Sequence, residues 1–274
     1  MFRADLHCHS TFSDGTDTPE GLIDQAIEIG LSGLSITDHD TLAAYSRAII
    51  HAKKRNFPLL PGIEFSAMLK KEPVHILGYG FLLESESIAH LIETHKRRRE
   101  ERNRLILEKL RDLSIRIDEE EIWGGRGTVG RPHIARVLVG RGLVDSIEEA
   151  FRKYLGDGKV AYVQGTPVSV EETIETIHQG GGKAVIAHPH LLKRSSVIRV
   201  LLEMPFDGIE GYYARFPLDQ EKRWIHEGEK RGWVITGGSD YHGGNKPQSR
   251  LGSSWVGKDV FDALAQGNKE MKWS

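Results

Sequence analysis

Short apolar runs alternate with amphipathic helical stretches through the first third of this chain, and that alternation limits the folds open to it. "FRADLH" reads as a strand, and "TPEGLIDQAIEIG" as a helix with Thr18 as N-cap, Pro19 at the first helical position and Gly30 just past the end. Leu22, Ala26 and Ile29 give that helix one apolar face. "GLSGLSITDHD" ends in a strand, "TLAAYSRAIIHAKKRN" is a second amphipathic helix, and "FPLLPGIEFS" and "VHILGYGF" are two further strands. Such alternation argues for a parallel sheet built from βα units. Between residues 86 and 160 the character changes. "HLIETHKRRREERNRLILEKLRDL" is a long, charged helix, and strand candidates nearly vanish. We read 86–160 as a helical insertion that caps the site, with 1–85 and 161–274 forming the α/β framework. Alternation resumes at "SVEETIETIHQGGGKAVIAHPH", where Ser169 and Glu172 form a capping box. "DGIEGYY", the helix around "LDQEKRWIHEGEKRG" and "WVITGGSDYHG" complete the series.

The 274 residues suit one large domain or a domain carrying an insertion. A net charge of -2 supplies no global footprint for nucleic acid or an anionic membrane. No apolar run reaches the roughly 18 residues of a spanning helix, and the N-terminus carries no secretory pattern. One cysteine, Cys8, excludes an internal disulfide framework and fits a reducing compartment, so the expected location is the cytoplasm, with no obligate protein partner evident.

"ADLHCHSTFSDGTDTP" places His7 and His9 on alternate residues of a strand, hence on one side of it, with Asp14 in the following turn. Taken alone this is also compatible with a polar loop holding a chance pair of histidines. The rest of the chain decides. His39, Glu64, His75, His188, Asp240 and His242 fall at or near the ends of separate strands, where an α/β barrel gathers side chains into one site. Nine N/O donors exceed the four or so that one zinc-like ion takes, so two or three divalent ions are implied, and His/Asp/Glu without thiolate suits Mn, Fe or Zn.

In order and spacing, "DLHCHSTFSDGT", "ITDHDT", "PGIEFS", "VHILGYG", "AHP" and "GSDYHG" resemble the motifs of the PHP (polymerase and histidinol phosphatase) superfamily. "VGRPHIARVLV" is similar to its stand-alone phosphoesterases that act on nucleotides. The resemblance implies a distorted (β/α)7 barrel with three ions: one on His7, His9, Glu64 and Asp240, a second on Asp14, His39 and His242, a third on Glu64, His75 and His188. It also implies a metal-dependent phosphoesterase cleaving a terminal phosphate from a nucleoside 3',5'-bisphosphate or a short 5'-phosphorylated RNA. Asp14, His39 and His242 are the catalytic candidates, and the proton donor to the leaving group stays open.

Pro132 opens a helix, so free N–H groups lie beside Arg131 and His133, and with Arg215 these are the substrate-phosphate candidates. For Arg131 an ion-paired loop position is the plain alternative. "KRRREERNR", residues 96–104, reads as an RNA-binding strip or, equally well, as charge pairing along a solvated helix. Cys8 faces away from its two neighbours, His190 is a candidate supporting residue, and Tyr212 and Tyr213 suit either stacking on a base or packing in the core. Three rival functions remain: a histidinol-phosphate phosphatase, a metal-dependent amidohydrolase and a non-catalytic metal-binding PHP module.

Overall fold

The computed structural model describes residues 1–123, 129–214 and 218–266. Seven strands are present among them: β1 (Ala4–Cys8), β2 (Gly33–Ile36), β3 (Gly62–Leu69), β4 (Glu72–Tyr79), β5 (Lys183–Ile186), β6 (Gly208–Tyr213) and β7 (Val234–Gly238). The helices are α1 (Pro19–Glu28), α2 (Tyr45–Arg55), α3 (Glu86–Asp112), α4 (Glu119–Trp123), α5 (Arg131–Gly140), α6 (Ile147–Ala150), α7 (Val170–Gln179), α8 (Ser195–Leu201), α9 (Leu218–Arg231) and α10 (Lys258–Ala265). The chain is thus mixed α/β. It divides into two compact units, residues 1–92 with 168–274, and residues 93–167.

The first unit holds every strand. β1 pairs with β2 in parallel, and β3 to β7 form a five-stranded sheet in sequence order. Backbone hydrogen bonds continue from sheet to sheet. The Asp240 N–H donates to the His7 carbonyl at 2.8 Å and the His9 N–H to the Tyr241 carbonyl at 2.8 Å, tying the end of β7 to β1. On the other side, Leu60 donates to Leu34 at 2.9 Å and Asp40 to Glu64 at 3.0 Å.

The sheet is not wholly parallel as the alternation suggests: β4 runs antiparallel to both β3 and β5. The reason is local. Only Lys70 and Lys71 separate the paired ends Leu69 and Glu72, and both lysines have positive φ (50° and 66°), the geometry of a two-residue hairpin turn. No helix intervenes, so no parallel crossover can form. His75 therefore sits in the middle of β4 and Glu64 early in β3, inside the hairpin rather than at a strand's far end.

Local signals place several elements correctly. Thr18 accepts from the Gly21 N–H with Pro19 opening α1, and Ser169 accepts from the Glu172 N–H at the start of α7. β1 is buried along its whole length although polar Asp5 and His7 alternate with apolar Ala4, Leu6 and Cys8. The core of this unit includes Ile63, Phe65, Ile76, Ile186, Ile209 and Trp224 on one side of the sheet, and Leu22, Ile36, Ala48 and Leu59 beneath α1 and α2.

The second unit is helical and has its own core of Ile106, Leu110, Ile134, Leu138, Ala150 and Leu155. No helix among the described residues is long and apolar enough to cross a membrane.

Candidate metal centre

All nine donors picked out in the sequence lie in four overlapping groups: His9, Asp14, His39 and His242; His7, His9 and Asp240; His7, Glu64 and His188; His39, Glu64 and His75. Within each group the donor atoms lie within 4.8 Å of one another. Glu64 is the hub. Its Oε2 is 3.2 Å from His7 Nε2, 3.1 Å from His9 Nε2 and 3.2 Å from His39 Nδ1, and its Oε1 is 2.8 Å from both His75 Nδ1 and His188 Nε2. Asp240 Oδ1 faces His7, His9 and His242 at 3.4–3.6 Å, while Asp14 lies 3.3 Å from His242 Nε2 and 3.8 Å from His39 Nε2.

The fold places these groups by several devices. His7 and His9 project to one side of β1, and Cys8 points the other way, its thiol donating to the Ser35 carbonyl at 3.3 Å. Asp38 accepts from the Ser10 N–H and from the Ser10 and Ser13 hydroxyls at 2.6–2.7 Å, and so shapes the turn that carries Asp14. Asp5 accepts from the N–H groups of His7, Ser239 and Gly252 and fixes the start of the Asp240 loop. His188 and Asp240 both have positive φ, 25° and 50°. Backbone strain at two donors marks positions that the surroundings over-determine.

These residues fit divalent ions. Neither His9 Nδ1, His9 Nε2 nor His39 Nδ1 makes a hydrogen bond to any described residue, although all three are buried. Ring nitrogens crowded round carboxylates without hydrogen-bond geometry are expected where each atom aims at a common ion instead. Burial opposes the ionisation of Glu64 and Asp240, but the charges of the surrounding histidines outweigh it and hold both carboxyls well below the usual range. Asp14 is held down in the same way by His242 and His39. All three carboxylates are therefore anionic at neutral pH, as ligands must be.

Burial disfavours a charged His9, yet Asp240 and Glu64 raise its pKa to about 9. A folded pKa above the unfolded value near 6.5 gives stability that is complete below pH 6.5 and lost as pH rises through about 9. A metal ion needs the neutral ring. In a chelator-treated sample we expect Tm to fall between pH 6.5 and 9, and in a Mn-replenished sample we expect that fall to vanish or reverse. Equal pH slopes in the two melting series would refute this coupling.

Two residues went unnoticed in the sequence. Asp240 Oδ2 accepts from the Tyr213 hydroxyl at 2.7 Å and also contacts the Lys246 ammonium. Tyr213 is thus a buried support for a donor rather than a stacking platform, and its neighbour Tyr212 is the exposed one. His190 packs on Tyr213, with ring centroids 4.5 Å apart. Lys246 carried no signal in the sequence. Glu210 carried one, as an acidic residue in an otherwise apolar strand.

In the helical unit, Arg131 opens α5. Its Nη1 donates to the Leu155 carbonyl at 3.2 Å and lies 3.5 Å from Asp157, and its guanidinium sits over the rings of Phe151 and Tyr162. His133 is buried and its Nδ1 accepts from the Gly130 N–H. Arg215 lies outside the described residues.

This centre and fold have relatives. The PHP domain family matches over residues 5–158, and the chain belongs to that family. Within it the chain is a metal-dependent phosphoesterase, a hydrolase. It is 36% identical over 253 residues to the 5'-3' exoribonuclease of Haemophilus influenzae, spanning 88% of this chain and 90% of that protein. It is 33% identical over 250 residues to the 3',5'-nucleoside bisphosphate phosphatase of Chromobacterium violaceum, spanning 88% of each. A solved chain from Bifidobacterium adolescentis, assigned as a metal-dependent phosphoesterase, superimposes with a TM-score of 0.88 at 29% identity, covering 98% of this chain and 97% of its own.

Proposed function

We propose that the chain removes a terminal phosphate from a nucleotide of the 3',5'-bisphosphate type or from a short 5'-phosphorylated oligonucleotide. The observation that carries the reading is Glu64, one buried carboxylate approached by five imidazoles. The similarity to two nucleotide-acting relatives over most of the chain supports the substrate class.

We infer a distorted (β/α)7 barrel, supported by the backbone hydrogen bonds that join β7 to β1 and β2 to the start of β3. Three divalent ions, of Mn, Fe or Zn, suit the donor set. His7, His9, His39 and Glu64 each belong to two of the four groups, which supports fewer ions than groups because one ring nitrogen serves one ion. Such ions lower the pKa of a water molecule and neutralise charge on phosphoryl oxygens.

The chain's own residues set the direction of approach. His7, His9 and Glu64 are at most 1% exposed and exclude water from the floor, whereas Asp14, His39, His75 and His242 keep between 12% and 31% of their side chains open. The reacting phosphate therefore approaches from the side of Asp14, His39, His75 and His242, and of these Asp14, His39 and His242 are the proposed catalytic residues. No Ser, Cys or Asp nucleophile is needed, and no covalent intermediate is expected. Arg131 and His133, in the helical unit, we propose as binders of an anionic group, on the strength of their side-chain chemistry at a helix start.

The test is phosphate release by Mn-loaded protein from a nucleoside 3',5'-bisphosphate, a 5'-phosphorylated RNA trimer and histidinol phosphate. We expect turnover of one or both of the first two, loss of it on chelation and its return with Mn. Preference for histidinol phosphate would overturn the substrate class and leave the metal chemistry standing.

A further inference from the structure

The group formed by His7, Glu64 and His188 is held from behind by a residue that offers no donor to it. Glu210 lies on β6 and is completely buried. Its Oε1 is 2.8 Å from His7 Nδ1, and its Oε2 accepts from the backbone N–H of His188 at 2.7 Å. Both oxygens are engaged, one by each of two donors, and Glu210 belongs to none of the four groups.

Each bond has a consequence. A carboxylate at 2.8 Å from Nδ1 keeps the ring proton on that nitrogen, which leaves the lone pair of His7 Nε2 facing Glu64 and Asp240. The second bond acts on the main chain. His188 has a φ of 25°, which a β-strand would not choose, and its N–H is anchored where the strained residue leaves β5. That anchor aims His188 Nε2 at Glu64 Oε1, 2.8 Å away. The β5–β6 ladder pairs Ile186 with Ile209, so the neighbouring Glu210 and the end of β5 come together through sheet register.

We propose that Glu210 is a positioning residue of the metal centre, fixing the tautomer of His7 and the backbone of His188 with a single carboxylate. This rests on the reading of the nine donors as metal ligands. Glu210 itself touches neither ion nor substrate.

The informative substitution is Glu210→Gln. It preserves volume, but its amide has one acceptor for two donors. With its oxygen on the His188 N–H, its NH2 faces His7 Nδ1 and drives the ring proton to Nε2, the nitrogen meant for the ion. Glu72→Gln is the control. Glu72 is also a buried carboxylate of this unit, but it binds the Lys193 and Arg194 N–H groups and the Arg194 guanidinium, away from the donors.

Mn affinity and stoichiometry are read by EPR titration, with Tm in chelator as the check on folding. We expect Mn binding about 10- to 100-fold weaker in Glu210→Gln, the usual scale for such supporting partners, and wild-type binding in Glu72→Gln. A folded Glu210→Gln that binds Mn as the wild type does would overturn the role of Glu210 alone. A wild-type chain that bound no Mn would overturn the metal reading beneath it. Should the amide variant not fold, the Zn-loaded wild type decides through long-range ring-nitrogen NMR correlations. A His7 proton on Nδ1 supports the proposal, and a proton on Nε2 overturns it.

Discussion

Replacing Glu64 by Gln is expected to lower turnover on the order of a thousandfold, the scale reached when a key electrostatic group is taken from an active site, and to remove at least one bound ion per chain. The substitution preserves volume, so packing is not what fails. What disappears is the negative charge between five ring nitrogens at 2.8–3.2 Å. One carboxylate can bridge ions because it has two oxygens, and here each oxygen faces different rings: Oε2 those of His7, His9 and His39, Oε1 those of His75 and His188. An amide offers one oxygen and turns an NH2 toward the other set. The measurement pairs steady-state phosphate release with metal content by mass spectrometry. Because the amide fills the same space, any fall of Tm in chelator reports lost charge pairing with the histidines rather than lost packing. A variant with wild-type turnover and a full complement of metal would remove Glu64 from the centre of the chemistry.

Gly238→Ala should produce a large loss of stability. An added Cβ would lie 2.3 Å from His7 Cβ, 2.5 Å from His7 N and 2.8 Å from His7 Cα. These are atoms of a strand buried along its whole length, so they cannot swing aside as the end of a flexible side chain does. The end of β7 must part from β1, where the Asp240 N–H reaches the His7 carbonyl. Overpacking costs roughly 1–3 kcal/mol and occasionally more. A backbone collision belongs at the upper end, and about 3 kcal/mol corresponds to a fall in Tm of roughly 6–12 °C. The same movement spreads His7 from Asp240, so metal retention should weaken in step. Thermal melts and metal analysis of the variant check both effects; an unchanged Tm would mean that the two strands separate there at no cost.

Much of the site was legible because its signals are short-range. Two histidines on alternate residues of a strand share a side whatever the rest of the fold does. The clustering of His39, His188, Asp240 and His242 just past β2, β5 and β7 needed only the positions of strands to be noticed. Helix starts at Thr18 and Ser169 were equally local, since a cap bonds within one turn. The hairpin was the main structural difference. Two strands were legible, but with no helix between them the parallel arrangement suggested by their neighbours could not extend to β4. The support for the donors was hidden for another reason. Glu210 meets His7 across 203 residues and Tyr213 meets Asp240 across 27, and no periodicity within one element reports a partner on another.

The sequence by itself determined the donor types, their placement near strands, the absence of thiolate among them and hence a candidate metal centre. Those properties belong to single residues and to spacing along one strand. Only the tertiary structure decided that Glu64 is the hub, that Asp240 turns one oxygen to the histidines and the other to Tyr213 and Lys246, and that Glu210 stands behind two donors at once. Each of these depends on which face of one strand meets which face of another, and that is set by sheet register and by packing between residues far apart in the chain.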